Sequence, residues 1–586
     1  MKILKAARYV AVIWALLLAI QSCSLDETVP DTITAKNIDS KADVTAVIHG
    51  AYANLNNPDA FKFTGVFCFL FVGGDDIYAT VTTDPAKFSQ KAFDAGYTSS
   101  FWNVLYSVIG NANNLIDILD SKDFGDEFEK RAYGEAYFLR AFSYYYLVRL
   151  YGGVPLRVES VKVDSDFYIK RNTVDEVYKQ IFEDFKNASE RLPLRTAIVA
   201  TELGRASKGA AQGLLSQAYL TYANYLDREG KADYQSYYQL SVNYCDSVIN
   251  SGQYVLLNDY GKLWDVTQET AAYEEVIFGI RFTADPLKVS LGSSGSEFAY
   301  RFLGSNSHGV TGNKPTGGGS ADIRPQPWYT DIYFTGDYGD NRPYYPGLTY
   351  DYRSEKSYFP RGSNTGLNTV TGQNFRYIYQ YPYVGPQSNN QTGATAATTS
   401  IIGKYVDGAG YDSRNHGNDF FIMRYAEILL IKAEALNELN GPSVEGINLI
   451  NQLRIRARKG DGIPRNYPTL IPTNTVYTKQ SFRKKILDER GAELFAEGHR
   501  WFDLVRMKSH INEAETMYDY QFGTFLKGIS PKTPSYTNTG NLWNNKGGYI
   551  PGSAAGQSYD PKFKLYPIPT SELIINPNFG DQNPGW

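Results

Sequence analysis

Apolar and polar positions in this chain follow a helical period over two long stretches and lose it in between. From about residue 42 to 252, apolar residues recur three and four positions apart. Val174, Val177, Ile181, Phe185 and Ala188 follow Thr173-Val174-Asp175-Glu176, a capping-box sequence. Over Glu127 to Tyr151, Phe128, Ala132, Ala136, Leu139, Phe142 and Tyr146 share one side of a second long helix. The small residues of Ala206 to Ala218 predict a third helix that its neighbours can approach closely. From Asp419 the period returns over Arg424 to Leu439, Ser443 to Lys459 and Phe482 to Arg506, with mostly irregular chain beyond Ile511. The pattern predicts a mainly α fold, a tetratricopeptide-like scaffold of helical hairpins without a clean fixed-period repeat.

The middle stretch, about Thr283 to Gly417, reads differently. It is rich in Gly, Ser, Asn, Thr and Pro, is punctuated by Gly317-Gly318-Gly319 and Pro325-Gln326-Pro327, and follows a short predicted strand, Glu275 to Phe282. A loop region this long is either functional or disordered. Disordered segments are poor in aromatics, whereas this one holds Trp328 and 15 of the chain's 47 tyrosines. It is therefore expected to be a large loop-rich, partly β, ligand-facing region. By contrast, Tyr137, Tyr144, Tyr145, Tyr146 and Tyr425 fall within helix patterns and are expected to be scaffold.

The N-terminus carries Lys2, Lys5 and Arg8, then an apolar run from Val10 to Ile20, then Ile20-Gln21-Ser22-Cys23. The run is short for a membrane span and reads as a signal peptide over 1–22. The sequence before Cys23 resembles a bacterial lipobox, so Cys23 is the expected lipidation site and residues 23–586 a single composite domain. Within it, about 42–252 form an N-terminal helical scaffold, about 283–417 the binding insertion and about 418–586 the C-terminal helices and closing segment.

Composition narrows the chemistry. With 58 Lys+Arg against 62 Asp+Glu the net charge is −4, which leaves no footprint for nucleic acid. Three cysteines and five histidines argue against a disulfide scaffold or a soft-ligand metal centre. Cys68 and Cys245 sit among apolar residues and read as small core hydrophobes. The chain contains no HExxH, CxxC, GxxxxGK[ST] or GxSxG. Asp337, Asp340 and Asn341 could offer oxygen to calcium but lack the alternating acidic pattern, so a turn is expected and no cofactor is assigned. The one catalytic possibility is Glu489, Glu493 and Glu497 at i, i+4 spacing, since a glycosidase needs two carboxylates about the scissile bond. Arg490, Arg500 and Arg506 are interleaved with them, which favours ion pairs fixing a helix to its neighbours.

Several segments resemble the SusD/RagB family of lipid-anchored nutrient-binding proteins. They are Phe101-Trp102 through Asn113-Asn114, Gly134 to Ala141 (GEAYFLRA) running on to Leu150–Leu156 (LYGGVPL), and Arg424 to Leu430 (RYAEILL) with Ala433-Glu434-Ala435. Ile447-Asn448 with Leu453-Arg454, Glu489 to Leu494 (ERGAEL) with Glu497 to Arg506 (EGHRWFDLVR), Tyr566 to Pro569 (YPIP) and Gln582 to Trp586 (QNPGW) complete an ordered set along nearly the whole chain. The resemblance implies a non-catalytic protein on the outer membrane beside a SusC-like TonB-dependent transporter. Its cargo would be an oligosaccharide or, on the same scaffold, a peptide.

A sugar presents an apolar face and a rim of hydroxyls, so aromatic platforms beside polar groups suit it. The ligand-binding candidates are Asp76, Tyr78 and Phe88 from a first loop, and Tyr300, Arg301, Asn306, His308 and Trp328 from the middle stretch. Trp264 and Trp543 are expected to pack.

Overall fold

Helices dominate, as the pattern predicts. The computed structural model describes residues 38–79, 84–162, 165–290, 295–302, 320, 322–334, 336–338, 351–357, 363–367, 374–378, 402–405, 407, 414–459, 462, 464–528 and 559–586. Cys23, Asn306, His308, Asp340, Asn341 and Trp543 lie outside these residues.

The N-terminal scaffold comprises α1 (Lys41–Ala53), α2 (Ser99–Ser121), α3 (Asp126–Tyr151), α4 (Val174–Arg191), α5 (Lys208–Arg228) and α6 (Tyr234–Asn250). The Thr173 hydroxyl accepts from the Glu176 amide and the Glu176 carboxylate accepts from the Thr173 amide, so the capping box opens α4 as read. Helix α3 stops at Gly152, whose φ of 76° ends the helical path. The next residue must also be glycine, because a Cβ on Gly153 would sit 2.2 Å from the Asn172 carbonyl oxygen. Successive helices pack side by side, α2 on α3, α3 on α4, α4 on α5 and α5 on α6, giving the row of hairpins expected.

Beyond α6 come the short helix α7 (Phe298–Phe302), then α8 (Tyr425–Asn440), α9 (Val444–Lys459), α10 (Lys479–Glu493) and α11 (Arg500–Arg506). Helix α8 packs on α6 and carries the row forward. The single helix expected over 482–506 is in fact two. Ala496 (φ 56°) and Gly498 (φ 80°) take left-handed conformations between α10 and α11 and turn the chain.

Strands are few and come in antiparallel pairs: β1 (Ile77–Ala79) with β3 (Ile323–Pro325), β2 (Val276–Ile280) with β6 (Phe420–Arg424), and β4 (Ser363–Leu367) with β5 (Asn374–Ile378). β2 and β6 are buried throughout and set Val276 opposite Arg424. The main core is strongly aromatic: Phe61 stacks on Phe420, Phe67 and Phe71 both meet Phe298, and Phe71 meets Phe420 edge-on, while α9 packs into a smaller separate cluster. Cys68 and Cys245 are both buried in it as free thiols. Among the described residues no helix is long and apolar enough to cross a membrane.

Candidate functional site

The acidic stripe of α10 is the first place to look for chemistry. Glu489 accepts from Arg353 and Arg454, each at 2.7 Å. Glu493 accepts from Arg353 at 3.0 Å and Arg424 at 3.1 Å, and pairs with Arg456. Just past the helix end, Glu497 pairs with Arg424 and Lys404, both at 2.7 Å. Glu275 joins through Arg424 and Arg456, and Asp351 through Arg353. Five carboxylates thus face five cations (Arg353, Arg424, Arg454, Arg456 and Lys404), all buried. Burial pushes the Glu493 pKa up, but the Arg456, Arg424 and Arg353 guanidiniums outweigh it and hold the carboxyl well below the usual range. A carboxylate locked in this way can neither give a proton to a glycosidic oxygen nor activate a water. The interleaved arginines do form ion pairs, though with other acids: Arg490 with Asp503 and Glu427, Arg500 with Asp75, Arg506 with Glu434 and Asp503.

The middle stretch supplies an unexpected part of this hub. The Tyr338 hydroxyl donates to Glu489 at 2.9 Å, and those of Tyr333 and Tyr405 donate to the carbonyls of Ala492 and Ala496 at 2.6 and 2.9 Å. Tyr329, Tyr333, Tyr338, Tyr352 and Tyr405 are all buried, and only Tyr300, among the tyrosines of this stretch with described side chains, is partly exposed. The expectation that these tyrosines mark a ligand surface is therefore corrected for the five. They lack helical periodicity because they come from one-turn helical or irregular pieces; Tyr333, Tyr338 and Tyr405 reach back to α10 or the chain just after it, and Tyr352 donates to Asp259 at 2.9 Å. Asp337, raised as a calcium ligand, instead holds Lys485 at 2.7 Å and Arg454 at 3.3 Å.

The nominated residues divide along similar lines. Pairing of β1 with β3 sets Tyr78 opposite Arg324, the Trp328 indole donates to the Asp75 carbonyl at 3.0 Å, and the Gln326 amide donates to that of Asp76 at 2.7 Å. The two sequence-distant loops do meet. Burial nevertheless removes several candidates as contact residues. Phe88 is 2% exposed and stacked on Phe93 with ring centres 4.3 Å apart, so its face is taken. Tyr78 is buried within β1. Arg301 is buried over the Phe63 ring and bound to Glu297 at 2.9 Å and Asp322 at 2.8 Å. Asp76 is also buried: Asp75 takes both hydrogen bonds from Arg500, at 2.7 and 3.0 Å, while Asp76 Oδ1 has no hydrogen-bond partner among the described residues. Burial, and then the Asp75 charge, push the Asp76 carboxyl up to about 8.

What stays accessible is a smaller patch around α7. Tyr300 is half-buried, with the Arg414 guanidinium 4.9 Å from its ring centre, and the Arg414 side chain is 54% exposed. The Tyr300 carbonyl accepts from the Ser320 amide at 2.7 Å, and Ser320 in turn binds Asp322 just before β3. Trp328 is half-buried against Phe525 and Tyr329. Sequence reading missed Arg414, which lies more than a hundred positions from the tyrosine it covers and carries no local signal. Trp264 packs as expected, with Lys404 4.5 Å from its ring centre. The described residues hold no group of three or more His, Cys, Asp and Glu arranged for a metal ion.

Comparison with known proteins agrees with the architecture. Residues 274–586 match the model of the SusD family, and residues 25–220 match a model described as starch-binding associating with outer membrane. SusD-like protein P2 of Formosa agariphila is 28% identical over 584 residues, spanning 97% of this chain and 98% of that one. A SusD homologue from Bacteroides thetaiotaomicron superposes with a TM-score of 0.72 at 22% identity, over 94% of this chain and 98% of the other. A laminarin-binding SusD-like protein superposes with a TM-score of 0.64 at 21% identity, over 94% and 100%.

Proposed function

Because the chain belongs to the SusD family, we propose that it is a lipid-anchored cell-surface protein that captures oligosaccharides and delivers them to a SusC-like TonB-dependent transporter, without catalysing a reaction on them. The observation that carries the non-catalytic part is the α10 stripe, whose three carboxylates are closed off by five cations. The glycan part is supported by likeness to a laminarin-binding protein and to surface glycan-binding protein A of Bacteroides uniformis, which superposes with a TM-score of 0.62 at 19% identity, over 93% of this chain and 99% of that one. On this chain Tyr300 offers a half-buried ring face beside the exposed Arg414 guanidinium, a combination that suits a sugar's CH face and hydroxyl rim. Cys23 would carry the anchor.

A glycan array followed by calorimetry on the purified protein tests the reading. Binding to one glycan class is expected, with affinity falling about 2- to 10-fold on Tyr300→Ala as one stacking face is lost. Tight peptide binding without any glycan signal would replace oligosaccharide by peptide as the cargo. An unchanged glycan affinity in Tyr300→Ala would move the site elsewhere on the molecule. Glycan hydrolysis that co-purifies with the folded chain through every column would overturn the non-catalytic assignment.

A further inference from the structure

A cavity of about 360 Å³ opens where the end of α3, the start of α4, the end of α5, α11 and the chain around Pro561–Leu565 converge. None of Tyr300, Arg414 and Trp328 lines it. Its size is within the roughly 300–1,000 Å³ of small-molecule sites. The charged groups on its wall are lopsided: Arg149, Arg228, Arg506, Lys562 and Lys564 against the single acid Glu229, which is exposed.

Two of those cations are partly neutralised by the protein. Arg506 is held by Glu434 and by Asp503 at 2.7 Å, and Lys564 is 3.0 Å from Asp519. Arg149 and Arg228 are different. The Arg149 guanidinium is sandwiched, its carbon 3.8 Å from the Tyr145 ring centre and 3.9 Å from that of Phe502, and its Nε donates to the Tyr145 carbonyl. Arg228 donates to the carbonyls of Val505 and Arg506 at 2.7 and 3.3 Å. Among the described residues neither has a carboxylate within ion-pair distance, whereas the buried arginines around α10 each hold one or more. Burial holds the Arg228 pKa below the usual arginine range, with Glu229 and Asp519 too weak to offset it. Lys562 is 3.8 Å from Asp560, a loose contact for a partly exposed side chain. A half-buried guanidinium without a counter-charge is costly, and an incoming anion relieves that cost. Both arginines are held in place before any ligand arrives, the arrangement that favours planar, bidentate recognition of an oxyanion. The remaining wall, including Val148, Val174, Phe502, Pro561 and Leu565, is apolar and calls for a body with an apolar face.

We propose that this cavity is a second binding site, for a small organic anion in which a carboxylate or sulfate sits on an apolar-faced ring or short chain. An acidic sugar and a non-sugar carboxylic acid share that chemistry.

The test is titration calorimetry of the full protein with sodium glucuronate, a monosulfated hexose, sodium benzoate, glucose and inorganic sulfate. At least one organic anion is expected to bind while glucose and inorganic sulfate do not. Glucuronate or the sulfated hexose without benzoate identifies an acidic sugar, and benzoate alone identifies a non-sugar acid. The affinity should weaken as sodium chloride rises and fall about tenfold or more in Arg149→Gln. Arg228 also ties α5 to α11, so Arg228→Gln could fail to fold; Lys562→Gln is the second variant, expected to weaken binding without changing the melting temperature of the free protein. The proposal is overturned if no organic anion binds, if glucose or inorganic sulfate also binds in a way that Arg149→Gln weakens, or if the folded variants bind as the parent does.

Discussion

Two of the acidic clusters buried among the described residues are treated in opposite ways. On the scaffold, Glu489, Glu493 and Glu497 sit among arginines that hold the pKa of each below its usual value despite burial. At the ribbon that joins the first loop to the middle stretch, Asp75 takes the whole of Arg500's fork, and its neighbour Asp76 is left with an unpartnered oxygen and a pKa near 8. The residue type and the burial are alike; the supply of counter-charges decides the outcome. Around α10 every carboxylate is matched by cations, whereas beside Arg500 the Asp76 carboxyl is not.

The sharpest way to break this contrast is Glu493→Gln. The amide leaves Arg353, Arg424 and Arg456 facing a neutral group in a dry interior, at an expected cost of about 3–5 kcal/mol. Calorimetry should show a melting temperature lower by many degrees, or no soluble protein at all. A variant melting with the parent would mean that the stripe is not a structural hub.

Much of this scaffold was legible in the sequence, because amphipathic periodicity and capping boxes are local signals. The Thr173 box and the helices from Glu127 and Arg424 all lie where the pattern puts them, within a residue or two. The break between α10 and α11 was not legible, since a left-handed alanine at 496 leaves no mark in a run that is otherwise helical. The partners of the α10 carboxylates were missed for a different reason. Arg353 and Lys404 come from the irregular middle stretch, and a contact across more than ninety positions has no periodicity to read. The same holds for the site. Aromatic enrichment marked out the middle stretch, but enrichment does not separate a ring used as a platform from one buried to deliver a hydroxyl.

Asp76→Asn sharpens the contrast from the other side. The folded-state pKa lies above the unfolded value, so between about pH 4 and 8 the native chain keeps a proton that the unfolded chain has lost. Stability therefore falls as pH rises through that window, with a limiting slope of about 1.4 kcal/mol per pH unit, and the penalty is complete above pH 8. Asparagine removes the titration. The variant should match or slightly trail the parent at pH 4 and exceed it by several kcal/mol, up to about 5, at pH 8, with the difference widening steadily between. Melting curves at pH 4, 6 and 8 decide: a difference that does not change with pH would mean that Asp76 is not held neutral by its surroundings.

The smallest expected effect tests how the two regions are joined. Tyr338 belongs to the loop-rich stretch, yet its hydroxyl donates to Glu489 and accepts from Arg454 at 3.1 Å. Tyr338→Phe keeps the ring and removes one donor from a carboxylate that still holds Arg353 and Arg454, so a loss of about 1 kcal/mol is expected. Tyr333→Phe is the control, because its hydroxyl donates to the neutral Ala492 carbonyl and cannot stabilise a charge directly. If the hydroxyls serve mainly to complete the charge network, acid should erase the Tyr338→Phe effect as Glu489 protonates and leave the Tyr333→Phe effect in place. If both effects persist equally at low pH, the tyrosines act only as packing and hydrogen-bonding ties, and the ionisation of α10 is irrelevant to how the middle stretch is held.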